Sequence, residues 1–137
     1  MTRDVTEANE ILHASCIAVE GRGLLILGPS GTGKSTLAIR LVALGASLVS
    51  DDRTLVTVTA GALAASCPNP ALNGLVEARG LGLLRAPFCE STPLALAIDL
   101  GQPEPDRLPP RRVVTILGVP LPLVLHPQND HFPDALM

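Results

Sequence analysis

Residues 28–35 read Gly-Pro-Ser-Gly-Thr-Gly-Lys-Ser and directly follow the apolar run Leu24-Leu25-Ile26-Leu27. This is the feature that most restricts the fold. It matches GxxxxGK[ST] at every fixed position, and the pattern has structural meaning only when a buried strand precedes it and a helix follows. Both conditions are met. Leu24–Leu27 is short and continuously apolar, as a buried strand should be. From Lys34 onward the period changes. Leu37, Ala38, Leu41, Val42 and Leu44 share one helical face, and Arg40 lies off it. Gly45 then stands where a helix C′ glycine belongs. Glycines in such a loop let successive backbone N–H groups point inward at an anion, and the helix adds its positive end. Lys34 can reach terminal phosphates, and the Ser35 hydroxyl can ligate magnesium.

Most of the remaining chain reads as strands. Ala14–Val19 and Gly23–Leu27, joined through Gly21, predict a hairpin. Ala46–Ser50 is a further apolar strand ending in Asp51-Asp52. Thr54–Thr59 and Ala62–Ser66 flank Gly61, Leu94–Leu100 is another strand, and Val113–Leu117 and Leu121–Leu125 close the series. Residues 1–10 read as irregular, with a short helix as an option over Val5–Leu12. Residues 101–112, rich in proline and charge, read as an exposed, mobile loop, and 126–137 as a polar tail. The expectation is one α/β domain over 1–137 with a mostly β core and one main helix after the loop.

Composition narrows the partners. The 137 residues include only two aromatics, Phe88 and Phe132, so the core must be aliphatic and base-stacking platforms are missing. Ten Lys and Arg against thirteen Asp and Glu give a formal charge of −3, which does not suit a nucleic-acid backbone. The longest apolar stretch, Val113–Leu125, is interrupted by Gly118, Pro120 and Pro122 and is shorter than the ~20 residues of a membrane helix. Cys16, Cys67 and Cys89 form no CxxC pair and read as reduced thiols. The expectation is a cytoplasmic protein that binds neither nucleic acid nor membrane.

A phosphate cradle alone names no reaction; carboxylates for a metal and a nucleophile are also needed. Three acidic sites compete. Asp51-Asp52 ends the strand after the helix, at the same carboxyl edge as the loop if the strands run parallel. Glu77 lies between Val76 and Ala78. Asp99 closes Leu94-Ala95-Leu96-Ala97-Ile98, imitating a Walker B strand. His13 precedes the first strand of the hairpin.

His13, residues 28–35, Leu48-Val49-Ser50-Asp51-Asp52, the segment Val76-Glu77-Ala78-Arg79-Gly80-Leu81-Gly82-Leu83 and Pro105-Asp106-Arg107-Leu108 together resemble the catalytic domain of bacterial HPr kinase/phosphorylase. The resemblance runs from about Leu12 to Leu125, in the short form without the N-terminal domain. It implies a P-loop-containing HPr kinase-like fold. It also implies ATP-dependent, magnesium-assisted phosphorylation of a serine on HPr or a related phosphocarrier of the phosphotransferase system, and by family likeness a hexamer. By this resemblance Gly28, Pro29, Ser30, Gly31, Thr32, Gly33, Lys34, Ser35 and Thr36 bind the nucleotide, and Ser35 and Glu77 hold the metal. Asp51 is the proton acceptor, His13 orients it, and Arg107 is the catalytic arginine. Where the family carries an arginine needed for the reverse phosphorolysis, this chain reads Leu125-His126-Pro127-Gln128-Asn129, which implies weak or absent phosphorylase activity. Two rival readings remain: a generic P-loop small-molecule kinase using Asp99 as its Walker B aspartate, and a nucleotide-binding regulatory module without catalysis.

Overall fold

The computed structural model describes residues 8–126 apart from residue 79. Strand β1 (Ala8–Leu12) is followed by β2 (Ser15–Val19) and β3 (Arg22–Leu27), then by the single α-helix of the described residues, α1 (Lys34–Ala43). The chain continues as β4 (Ser47–Ser50), β5 (Thr54–Thr59), β6 (Ala62–Ser66), a 3-10 turn (Pro70–Leu72), β7 (Leu75–Ala78) and β8 (Gly82–Arg85). It closes with β9 (Ser91–Pro103), β10 (Arg112–Ile116) and β11 (Val119–His126). The architecture is the expected α/β one: mostly sheet, with one helix after the glycine loop. No helix among the described residues is long and apolar enough to cross a membrane.

The strands form one sheet ordered β1-β5-β6-β9-β3-β2-β4, with β11 beside β9 and β10 beside β11; β7 and β8 form a separate ribbon. Strand β9 is its spine. Over its 13 residues it pairs antiparallel with β6, then parallel with β3 and with β11. The hairpins β2–β3, β5–β6 and β10–β11 turn at Glu20-Gly21, Ala60-Gly61 and Leu117-Gly118, each pair with positive φ at both residues. That is the two-residue turn whose twist suits adjoining strands, and glycine takes the second place at no steric cost.

Strand β2 is antiparallel to both β3 and β4, so β3 and β4 point the same way. Their carboxyl ends, the glycine loop and Asp51-Asp52, therefore share one edge with the amino end of β2. Each face of this central sheet has its own aliphatic core. Cys16, Ala18, Leu25, Val49 and Ala97 pack with Val56, Leu63 and Ile116 on one side. Ile17, Leu24, Ile26, Leu48 and Ile98 pack with Leu37, Ala38 and Leu41 of α1 on the other. Burial on both faces explains why β2 and β3 read as continuous apolar runs rather than alternating ones. Phe88, the one described aromatic, is 49% exposed, so no aromatic among the described residues joins the core. The helix ends at Leu44, where Ala46 N–H donates to Leu41 O and Gly45 N–H to Val42 O, the paired bonds of a Schellman cap.

Several boundaries differ from the sequence reading. Ala8–Leu12, within the segment read as irregular or helical, is a strand paired antiparallel with Thr54–Val58. Its residues are almost all exposed, so no hydrophobic period marks it, and cross-strand pairing decides its form. Gly101–Pro103 extend β9 instead of opening the loop, and Arg112 already belongs to β10, leaving 104–111 as the connection. Glu104 and Arg112 tie its two ends: Nε and Nη2 of Arg112 donate to Glu104 Oε1 and Oε2 at 3.1 and 2.8 Å. His126 ends β11, and the rest of the segment read as a tail lies outside the described residues.

Candidate active site

The loop between β3 and α1 has the backbone its sequence requires. Gly28, Gly31 and Gly33 all have positive φ. Gly33, the N-cap of α1, has φ 94° and offers the helix no side-chain cap. The first-turn N–H groups, which have no intrahelical acceptor, are thus left for an anion. Pro29 O accepts from Thr32 Oγ1 at 2.7 Å, which closes the loop on itself. The Lys34 ammonium lies inside it, donating to Gly28 O at 2.7 Å and Pro29 O at 3.1 Å. An ammonium has three N–H bonds, so one remains for a phosphate oxygen. A cleft of about 420 Å³ opens here, lined by Ser30, Gly31, Gly33, Lys34, Ser35, Thr36, Asp52, Glu77 and Gly80.

The two aspartates after β4 have different surroundings. Asp51 is half-buried behind the cleft. Its Oδ1 accepts from Ser35 Oγ at 2.6 Å and from Ser15 Oγ at 2.9 Å, and its Oδ2 accepts from the Glu77 N–H at 3.1 Å. It therefore ties the helix, β2 and β7 together. Asp52 is exposed and lines the cleft, with Oδ1 3.7 Å from His13 Nδ1. The sequence reading had His13 orienting Asp51; the structure pairs His13 with Asp52. The reason is local. Regular strand ends at Ser50, so side-chain alternation does not carry on to residues 51 and 52. Asp52 has φ 68°, and Arg53 N–H donates to Asp51 O at 2.7 Å. This is a γ-turn of the rare positive-φ kind.

His13 sits on a matching corner, with Ala14 N–H donating to Leu12 O at 2.9 Å. On one side of these two corners β1 pairs with β5, Leu12 against Thr54; on the other β2 pairs with β4, Cys16 against Ser50. Thr54 Oγ1 donates to Ala14 O at 2.8 Å and binds the corners together. Sheet register thus sets His13 beside Asp52.

Glu77 projects from β7 as the exposed member of an otherwise inward-facing stretch and reaches the same cleft. Asp99 does not. Its Oδ1 accepts from Gly101 N–H and its Oδ2 from Gln102 Nε2, both at 2.8 Å, so its oxygens serve the end of its own strand. Arg107 lies exposed in the 104–111 connection and is not among the cleft-lining residues. The described cysteines are all free, and burial pushes the Cys16 thiol far above its ordinary range, which leaves it an inert packing group. The residue that sequence reasoning missed is Ser15. Its signal was a lone hydroxyl inside the otherwise apolar run Ala14–Val19.

Magnesium nucleotide suits this donor set. No cluster of three or more metal-ligating side chains exists among the described residues. A small, strongly hydrated cation needs no such cage, since it is bound by one or two protein groups together with the phosphates it accompanies. Ser35 and Glu77 border the same cleft as the uncapped helix end.

The family model of the HPr Serine kinase C-terminal domain matches residues 5–104. Among curated proteins, the HPr kinase/phosphorylase of Azoarcus sp. is 40% identical over 134 residues, covering 85% of this chain and 41% of that protein. That of Aromatoleum aromaticum is 37% identical over 139 residues, covering 88% and 42%. The chain thus spans about two-fifths of the length of these relatives. The solved structure of the Hpr(Ser) kinase/phosphatase from Coxiella burnetii matches with a TM-score of 0.76 at 26% identity, over 93% of this chain and 86% of that one. A glycine cradle at the carboxyl edge of a mostly β sheet, a family match over most of the chain and a shared fold lead to one conclusion: the chain belongs to the HPr serine kinase C-terminal domain family.

Proposed function

We propose that the chain transfers the γ-phosphoryl group of ATP, with magnesium, to a serine of an HPr-type phosphocarrier protein in the cytoplasm. The observation that carries this reading is the Asp52 carboxylate at the cleft, 3.7 Å from His13 and on the same rim as the Lys34 and Ser35 cradle. A serine hydroxyl is a weak nucleophile, and a carboxylate in line with the phosphoryl group must take its proton. We assign that task to Asp52, with His13 orienting it. Asp51, named for it from the sequence, already accepts three hydrogen bonds and stands behind the cleft.

Lys34 and the backbone N–H groups that residues 28–36 carry at every position but Pro29 hold the phosphates, and Ser35 and Glu77 would hold magnesium. When bound, the metal neutralises charge between the outer phosphates. Arg107 is assigned the neutralisation of transferred charge, carried inward by its connection when the carrier docks. Forward transfer dominates over phosphorolysis in this reading, because residues 125–129 contain no arginine for an incoming phosphate. The hexamer seen as a family expectation is retained as the proposed assembly.

The generic small-molecule kinase reading needs Asp99 at the metal, and the Asp99 oxygens are engaged with Gly101 and Gln102. The purified protein is to be mixed with magnesium ATP and HPr-type carriers, and the phosphate located by mass spectrometry. Phosphoserine on a carrier is expected. Nucleotide binding with no transfer to any carrier would leave the regulatory-module reading standing in its place.

A further inference from the structure

Ser15 is buried to 0% exposure in a strand whose other buried residues, Cys16, Ile17 and Ala18, belong to the two hydrophobic cores. A hydroxyl in such a place must spend its one O–H and a lone pair on specific partners. Its Oγ donates to Asp51 Oδ1 at 2.9 Å and accepts the Asp52 N–H at 3.1 Å. These are consecutive residues with opposite surroundings, one carboxylate turned inward to Ser35 and the other outward to His13. The turn between them is strained, with Asp52 at φ 68°, a conformation side chains other than glycine adopt reluctantly. Strain of this kind persists only where neighbours over-determine it. Ser15 supplies two of those constraints from a strand whose register is fixed on both sides.

We propose that Ser15 is a positioning residue that divides the labour of the two aspartates. By holding the Asp51 carboxylate it keeps that group on the Ser35 hydroxyl. By holding the Asp52 amide it keeps the γ-turn closed and the Asp52 carboxylate at the cleft. Ser15 is not itself among the residues lining the cleft and acts wholly through these two residues. The kinetic consequence rests on the serine-kinase reading above; the structural one does not.

The test compares wild type, Ser15→Ala and Ser15→Thr, with Ser15→Cys replacing the alanine variant should that fail to fold. Three quantities are read: hydrogen exchange at the Asp52 amide, steady-state transfer to a phosphocarrier, and the melting temperature. In Ser15→Ala, exchange at Asp52 should accelerate about tenfold or more relative to the neighbouring amides of β4 and β5. The kcat should fall about 10–100-fold, the usual cost of removing a partner that orients a reacting or ligating group. The KM for ATP should stay within about twofold, because the cradle is made elsewhere. Ser15→Thr, which keeps the hydroxyl, should restore slow exchange and most of kcat. In an Asp52→Asn background the alanine change should cost clearly less than in wild type, since the Asp52 route is already cut and only the Asp51 route remains.

Unchanged exchange at Asp52 overturns the proposal. So does a full, independent loss of kcat in the Asp52→Asn background, and so does a fall in melting temperature with kcat intact. If wild type transfers nothing to a carrier, the serine-kinase reading falls, and the Asp52 exchange alone decides the role of Ser15.

Discussion

The Ser35 hydroxyl donates to Asp51 Oδ1 at 2.6 Å, joining the first turn of the helix to the residue after β4. Serine is the position that P-loop proteins use for magnesium. Its O–H thus points to the carboxylate and leaves a lone pair for the cleft. Asp51 is therefore an organiser of the site, while Asp52 is the carboxylate that meets what enters it.

That division predicts an ordering. Asp52→Asn should reduce phosphoryl transfer by roughly 10²–10⁴ and leave nucleotide affinity and melting temperature close to wild type. Asp51→Asn should act mainly on stability. Its amide nitrogen would face donors rather than acceptors, and an unsatisfied buried polar group costs about 1–3 kcal/mol. Steady-state kinetics beside thermal melts check both. Transfer lost in Asp51→Asn at full stability, with Asp52→Asn unaffected, would return the base to Asp51.

Lys34→Ala should abolish measurable ATP binding by calorimetry. It removes the ammonium that Gly28 O and Pro29 O hold inside the loop, and no other cation lines the cleft among the described residues. Retained affinity would show that the backbone cradle suffices without it.

Glu77→Gln should raise the magnesium concentration needed for half-maximal transfer by about tenfold, within the range for weakening a metal site. Asp99→Asn should leave that concentration unchanged, because the Asp99 oxygens are committed to Gly101 and Gln102. A magnesium titration of each variant decides; the reverse order would favour the Walker B reading.

The clasp on the 104–111 connection should respond to acid. Its hydrogen bonds from Arg112 hold the Glu104 carboxyl below its ordinary value. A group whose pKa is lowered by folding contributes stability that is present above the unfolded value and is lost as pH falls through the folded one. Glu104→Gln should therefore make residues 104–111 more sensitive to proteolysis at pH 7. The difference from wild type should shrink as pH drops below the usual glutamate range. A difference that persists at low pH would mean the clasp works through shape rather than charge.

How far the sequence carried can be judged from particular residues. The strand–loop–helix unit was legible because its parts are local: Leu24–Leu27, the glycine pattern and the 3.6-residue period through Leu41 all lie within one short stretch. The turn of the β2–β3 hairpin was legible for the same reason. Asp51 and Asp52 were legible as a pair but not as individuals, because their facing depends on a γ-turn that breaks strand alternation. His13 was legible as a candidate but was given the wrong neighbour. Its partner is set by the registers of β1 with β5 and β2 with β4, and a register is a relation between distant segments. Ser15 was hidden inside an apolar run, and β1 inside a polar one.

The spine strand β9 also governs when this molecule becomes safe from aggregation during synthesis. The glycine-loop strand β3 finds β2 at once across a tight turn, but its other edge pairs with Leu94–Asp99, which emerge from the ribosome much later. Until then Leu24–Leu27 present an apolar edge with open hydrogen bonds, the template on which chains stick to one another. Non-local parallel pairing of this sort is intrinsically slow. Gly101 beyond it packs against Pro29, so the cradle receives its last wall only when the spine docks. Nascent chains that stall before residue 100 should thus be the ones that depend on chaperones, while completed chains no longer expose that edge.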